Sequence, residues 1–536
     1  MRAGHAGRPG MIVDSRQGAP DPNKTYDICI IGAGAAGITL ALELAASNLT
    51  VCVLESGGFE FDEDVHDLAI GENVGRDYDG LDAGRLRYLG GTTNHWGGWC
   101  RPFSAFEMEK RSWVPESGWP ISLSDLEPYY RAANTYCQIE GDGYDVSQTV
   151  AAAKNPRLSE LSLQGTGFYS SLYRFSPPTR FGEAYRERLK QAKTIEVFLF
   201  ANVLELTLSH DANSIVGVKA GTLSGARFNV TARRYVLATG GLENARLLLL
   251  SRNVAANGIG NQHDLVGRFF MEHPTLVGMV APTGKQSMDL YDIRIAYNEL
   301  GFVASLEVEP EMQRERQLLA ARAEFSGFFD GEDAEGTKSF KALTSQIRNG
   351  QWPDNLGKHL GNIVTDIDDV AKAIYGYLTG DAENPNFYSV GVGIEQRPNP
   401  DSRVMLSESK DAFGLNRIKL DWRLTAEDYR TAEETSQLIA KTFGAKNIGR
   451  VRMDLDNKGA DGWPEEIQWG SHHMGTTRMS DSPKSGVVDR DCRVHGIANL
   501  YVAGSSVFPT SGAGVPTLTI VALAVRLAKH LRQQLG

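Results

Sequence analysis

The 536-residue chain predicts an α/β fold, and three observations carry that expectation. A β-branched run at 26–31 leads into Gly32-Ala33-Gly34-Ala35-Ala36-Gly37, then a stretch of helical composition, then an apolar run at 49–54 that ends at Glu55. A second strand-to-helix junction follows at 235–250, where a short apolar run meets ATGGLENARLLLL. A third buried run at 500–503 precedes a Gly/Ser/Pro-rich loop at 504–515 and an apolar segment that opens on Pro516.

Each element has a local reason. Gly32 allows the tight turn, Gly34 lets backbone N–H groups approach a pyrophosphate, and Gly37 lets the helix pack on the strand. Glu55, 18 positions after Gly37, is placed to accept hydrogen bonds from a ribose. The unit at 26–55 is therefore Rossmann-like and predicts a dinucleotide site. Residues 84–103 carry five glycines and are expected as a loop laid against a ligand. Ser124-Asp125-Leu126-Glu127 resembles a capping box opening a helix through Tyr136. Strands are expected at 197–208 and 388–394, and loops or lids at 331–386. Proline is favoured in a first helical turn, so the last helix should begin at about Pro516, its positive end facing 512–515.

Composition excludes several classes. With 41% hydrophobic and 23% charged residues the chain belongs among globular proteins. Fifty-five Lys+Arg against 66 Asp+Glu leave a net charge of −11, without the basic footprint that nucleic acid requires. Five cysteines without C-x-x-C or zinc spacing favour a reduced, cytoplasmic setting and no metal site. Residues 1–24 lack an apolar h-region and read as a flexible leader. No membrane span is expected, because no uninterrupted apolar run reaches the ~18 residues one needs.

With these pieces in place the chain resembles the glucose–methanol–choline (GMC) oxidoreductases, from about residue 24 onward. The matching stations are the glycine turn with Glu55, LGGTTNHWGG at 89–98, ATGGLENARLLLLS at 238–251, GRFFMEHP at 267–274, EQRPNPDSRVMLS at 395–407, HHMGTTRM at 472–479, NLYVAGSSVFPT and VPTLTIVALAVRLA. It looks most like the branch holding pyranose and C-glycoside oxidases and fructose dehydrogenase. The resemblance implies a GMC fold: a Rossmann-like FAD-binding domain, and an α+β substrate domain on a mostly antiparallel sheet. The expected FAD domain is discontinuous (25–110, 185–275 and 465–536), with the substrate domain at 111–184 and 276–464.

The resemblance also implies the site. His472 matches the histidine that takes the substrate hydroxyl proton while hydride passes to flavin N5, a task that suits a neutral imidazole. His473 is read as packing. The cofactor-binding set is Gly32, Gly34, Ala35, Ala36, Gly37, Glu55, Ser56, Arg87, Gly91, Thr92, Asn94, His95, Trp96, Gly97, Val203, Gly240, Gly504, Ser505, Pro516 and Thr517. His95 matches the position of the covalent flavin link in fungal pyranose oxidases, and is expected either to form that bond or to contact the isoalloxazine. Arg85 and Arg87 are either phosphate partners or loop charges. One departure stands out: relatives carry asparagine before the proline of N-P-T-L-T, and here the position is Val515. Valine cannot hydrogen-bond the alkoxide and is a poor N-cap, a difference of ~1 kcal/mol.

The expected function is FAD-dependent oxidation of a hydroxyl on a sugar-like polyol, of glycoside or aminoglycoside type. Trp96, Trp99, Trp113 and Trp119 are either a sugar-stacking group or a core cluster. Oxygen, a quinone or a carrier protein would reoxidise the flavin. The alternative is a flavin-binding electron carrier that has lost alcohol oxidation, for which Val515 is the sole support. A nicotinamide enzyme leaves the later stations without a role.

Overall fold

The computed structural model describes residues 11–141, 143–328, 385, 387–455, 458–459, 462–465 and 467–536. Two sheets organise them. The first runs Met11–Asp14, Ile195–Leu199, Val51–Leu54, Thr25–Ile31, Arg227–Leu237, Ile215–Gly221 and Asn202–Leu208, with Leu500–Val502 added beside Arg227–Leu237. Its body is parallel. Val51–Leu54 and Leu500–Val502 are buried at every position, as parallel strands covered on both faces require. The eleven-residue strand Arg227–Leu237 serves both sheet types: Arg227–Val230 pairs antiparallel with Ile215–Gly221, and the rest pairs parallel with Thr25–Ile31.

The helix Ala35–Leu44 packs on the C-terminal helix Thr517–Leu535, which in turn packs on Leu123–Tyr136. The second sheet is antiparallel throughout: Gly449–Met453, Thr275–Pro282, Phe387–Ile394, Ala321–Phe328, Phe302–Val308, Phe168–Phe175 and Trp99–Cys100. A small third sheet joins the hairpin Arg403–Lys410 and Asn416–Asp421 to Gly71–Asn73. The α/β class with an antiparallel partner is thus the observed architecture.

Several local expectations are corrected. The leader expected at 1–24 is overturned from Met11 onward, because Met11–Asp14 is a strand in parallel register with Glu196–Leu199; residues 1–10 lie outside the described residues. The capping box is Ser122 with Asp125, two positions earlier than expected, since the Ser122 backbone and hydroxyl both bond the Asp125 carboxylate. The run at 197–208 is two strands, broken where Phe200 takes φ 56°. The lids expected at 331–386 lie outside the described residues, Pro385 excepted. Val515 is not the cap of the last helix: that residue is Pro516, so the capping cost assigned to valine does not arise. All five cysteines are buried and free, and no described helix is long and apolar enough to cross a membrane.

Candidate active site

A cavity of about 670 Å³ opens where the parallel strands end and the two glycine junctions meet. The first junction lines it with Gly32, Gly34, Ala35 and Ala36, and each glycine has a different reason. Gly32 has φ 99°, and a Cβ there would lie 2.5 Å from the Ala238 carbonyl oxygen. At Gly37 a Cβ would press to 2.0 Å of the Gly32 carbonyl oxygen, so only glycine lets the helix close on the turn. Gly34 has an ordinary φ of −81°, and a Cβ there would meet no atom within 4 Å. Nothing in the fold demands glycine at 34; open space above it does. Gly34 caps Ala35–Leu44 without a side-chain bond, so that helix presents bare N–H groups and its positive end.

Glu55 is 5% exposed and holds this turn, accepting from Ala33 N–H at 2.7 Å and Gly57 N–H at 3.1 Å. At the second junction Gly240 has φ 88° and again no atom near a built Cβ. Asn244 ties that junction to the last strand: its Oδ1 accepts from Thr239 N–H at 2.9 Å, and its Nδ2 donates to the Ala503 carbonyl at 3.1 Å. Glycine cradles, an uncapped helix start and a buried acid on one elongated cavity fit the FAD that the resemblance implies. Gly34, Ala35, Glu55, Arg87 and Gly240 would hold its nucleotide portion.

His472 lines the same cavity, about 440 residues along the chain from Gly34. Its segment is held on three sides. Met271 and Met474 exchange both backbone hydrogen bonds at 3.1 Å, Ser505 Oγ donates to the His473 carbonyl at 2.7 Å, and Gly241 leaves no room for a Cβ, which would fall 2.1 Å from that carbonyl oxygen. His472 Nδ1 lies 2.9 Å from His273 Nδ1. Burial, with His273 and Arg322 beside it, holds His472 well below the ordinary histidine range. It is therefore unprotonated at neutral pH. His473 faces the other way along the extended segment: Nε2 lies 2.9 Å from Tyr78 Oη, which donates to buried Glu272. Burial lowers His473 to about 3 and raises Glu272 to about 7.

The loop before the last helix is fixed from below by Glu107. Its carboxylate accepts from Ala513 N–H at 2.8 Å and Gly514 N–H at 3.3 Å while pairing with Arg101 at 2.8 Å. Burial opposes that charge, yet Arg101 and the N–H donors keep Glu107 at about 2. Arg322 reaches the Ala513 carbonyl from the side, with Nε 2.5 Å from Glu324, and both residues line the cavity. Val515 packs with Tyr173, Phe175, Ala296 and Val303 while one face borders the cavity. An asparagine amide in that apolar cluster would need polar partners that none of these side chains but Tyr173 offers.

Of the sequence-derived site residues, Glu55, Ser56, Arg87, Gly91, Thr92, His95, Trp96, Gly97, Val203, Gly504, Ser505, Pro516 and Thr517 also line the cavity. Gly37 and Asn94 are not among its lining residues. Gly37 shapes the turn, and Asn94 Nδ2 donates to the Leu89 carbonyl at 3.0 Å, bracing the loop. Arg85 is engaged by Glu243 at 2.9 Å and the Leu81 carbonyl at 2.6 Å, so it braces the wall, while Arg87 stands 3.5 Å from Glu243. The tryptophans divide: Trp96 and Trp99 border the cavity, whereas half-buried Trp113 donates to the Leu318 carbonyl and Trp119 to Thr510 in the core. Sequence reasoning missed His273, Arg322 and Glu324. His273 stood in the quoted run at 267–274, but its facing partner is set by the bridge to Met474. Arg322 and Glu324 occupy alternate positions of a strand and carry no local signal.

A family model described as GMC oxidoreductase matches residues 398–524. Paromamine 6'-oxidase of Streptomyces fradiae is 25% identical, the match covering 95% of this chain and 92% of that protein. The fructose dehydrogenase large subunit of Gluconobacter japonicus is 23% identical over 95% of this chain and 98% of its own. A C-glycoside 3-oxidase of Arthrobacter globiformis reaches 31%, over 23% of each chain. The fold is similar to that of a formate oxidase variant from Aspergillus oryzae, with a TM-score of 0.52 and 17% identity over 96% of this chain and 99% of that one. The matching C-terminal region and the relatives aligned nearly end to end support one conclusion: the chain is similar to the GMC oxidoreductases and is an FAD-dependent alcohol oxidoreductase.

Proposed function

We propose that this protein oxidises a hydroxyl of a sugar-like polyol, of glycoside or aminoglycoside type, to a carbonyl, with His472 as the base. The observation that carries the reading is that His472 and the glycine cradle of the first junction border one cavity. Bound FAD would supply the acceptor for the two electrons released from the carbinol carbon. His472, kept neutral by burial, is ready to take the hydroxyl proton. As that proton leaves, negative charge grows on the substrate oxygen. Valine at 515 offers it no hydrogen bond, and Arg322, of the arginines that line the cavity the one beside His472, takes over that task. The guanidinium is anchored through Nε to Glu324 and Nη1 to Ala513, so its charge is preorganised. Glu324 adds an acceptor for sugar hydroxyls or an ammonium group. Trp99, in T-shaped contact with Tyr173 and Phe175, also borders the cavity, and an indole there suits sugar C–H groups. The likeness to paromamine 6'-oxidase, fructose dehydrogenase and C-glycoside 3-oxidase supports this substrate class.

The test is anaerobic mixing of the FAD-loaded protein with a panel of sugars, polyols and aminoglycosides. Loss of the visible flavin band with a member of the panel supports the proposal. A band that persists across the panel, while dithionite still removes it, assigns the protein to electron carriage or binding instead.

A further inference from the structure

We infer that His273 is a positioning residue that holds His472 in the tautomer whose bare nitrogen, Nε2, serves as the base. The inference rests on the reading of His472 as that base. It begins with register. Met271 and Met474 form an antiparallel bridge, and two residues along each segment His273 and His472 face one another on the same side. Their rings meet at 5.1 Å between centroids and 80°, with 2.9 Å between the two Nδ1 atoms.

A hydrogen bond between two nitrogens needs one hydrogen, and the far side of His273 decides whose it is. His273 Nε2 lies 2.8 Å from the Gly512 carbonyl oxygen, which can only accept, so Nε2 carries a hydrogen. His273 is 1% exposed, and Arg322 and Arg101 lie near it, which opposes a second proton on the ring. Its Nδ1 is therefore bare and accepts. The shared hydrogen belongs to His472 Nδ1, and a neutral imidazole has only one N–H, so His472 Nε2 keeps its lone pair. An imidazole without such a partner favours the opposite tautomer in water, with the hydrogen on Nε2 and the lone pair on Nδ1 instead.

The anchor is itself anchored. Gly512 has φ 58°, and a Cβ there would strike Glu107 Oε1 at 2.7 Å, the oxygen that also accepts from Ala513 and Gly514. The sequence of contacts is thus Glu107, the loop at 512–514, the Gly512 carbonyl, His273 and His472. When His472 gains the substrate proton on Nε2, its Nδ1–H still points at a lone pair, so the new cation is met by an acceptor already in place.

The test uses FAD-loaded enzyme with 15N-labelled histidine, native and with His273→Asn, His273→Leu and His472→Ala. The His472 signals are assigned by their loss in His472→Ala. In the native protein His472 should show a protonated Nδ1 and a bare Nε2; a bare Nδ1 overturns the inference, whether or not the His273 variants fold. Asparagine can place an amide oxygen where Nδ1 stood, so His273→Asn should keep this tautomer and reduce the flavin within about tenfold of native, whereas His273→Leu should lose the tautomer and slow reduction by about 10²-fold or more at unchanged substrate affinity. Fast reduction in His273→Leu alongside slow reduction in His472→Ala overturns the role of His273 alone. Fast reduction in His472→Ala removes the underlying reading of the base.

Discussion

Replacing Gly34 with valine separates room for a ligand from room for the fold. The backbone at 34, with φ −81° and ψ −166°, is open to any residue, and a Cβ meets nothing within 4 Å. Two opposing effects act on the apoprotein. Losing the freedom of glycine in the unfolded chain stabilises by about 0.4–1 kcal/mol. Exchanging a fair N-cap for an apolar one costs about 1 kcal/mol. They cancel to within about 1 kcal/mol, so Gly34→Val should melt close to the native apoprotein. Gly37→Ala is the contrasting case: its methyl would meet the Gly32 carbonyl oxygen at 2.0 Å, rigid backbone that cannot yield, at a cost of about 1–3 kcal/mol or more. FAD at a hundred times its Kd adds about 2.7 kcal/mol to the native protein. In Gly34→Val the side chain occupies the space and that increment disappears. Calorimetric scans with and without FAD distinguish the cases: native rises with FAD, Gly34→Val does not, and Gly37→Ala melts low in both. A Gly34→Val protein with the full FAD-dependent rise in Tm would refute the assignment of this space to the cofactor.

His472→Ala should retain FAD yet reduce about 10²–10⁴-fold more slowly in stopped flow; unchanged turnover removes His472 from the chemistry. Arg322→Met should cost about 10²–10³-fold in the reduction rate through loss of charge stabilisation, and an unaltered rate would leave the substrate oxygen without this partner. Burial holds His473 at about 3, below its unfolded value, so its stabilising contribution is complete above about pH 6.5 and is lost as pH falls toward 3. His473→Gln should therefore shrink the stability gap between pH 7 and pH 5 by about 2 kcal/mol in urea melts, and an unchanged gap contradicts the assignment. Acid precipitation should release the yellow colour to the supernatant; colour kept in the pellet establishes a covalent link, and His95→Ala would then abolish it.

Much of the glycine turn that lines the cavity was legible in the chain because its requirements are local. A positive φ at Gly32, a close helix approach at Gly37 and an acid at the end of the next strand are set within 24 residues, and each leaves its own mark on residue type. Strand and helix starts followed the same rule, with errors at the ends: Ser122 rather than Ser124 as the cap, Phe200 interrupting a strand, and Met11–Asp14 recruited to a sheet edge by a partner almost two hundred residues away.

By itself the sequence determined the α/β class, the glycine junctions and the likeness to the GMC oxidoreductases, and it singled out His472 as the candidate base. Only the tertiary structure decided what His472 faces. His273 meets it through the register of a two-segment bridge, Arg322 reaches the same cavity from the second sheet, and Val515 turns out to pack against Tyr173 and Phe175 rather than cap a helix. The physical reason is range. Dihedral preference and hydrophobic period act over a few residues and mark the chain where they act, whereas hydrogen bonds across 199 residues, such as that joining His273 to His472, depend on how separate elements come to rest against one another.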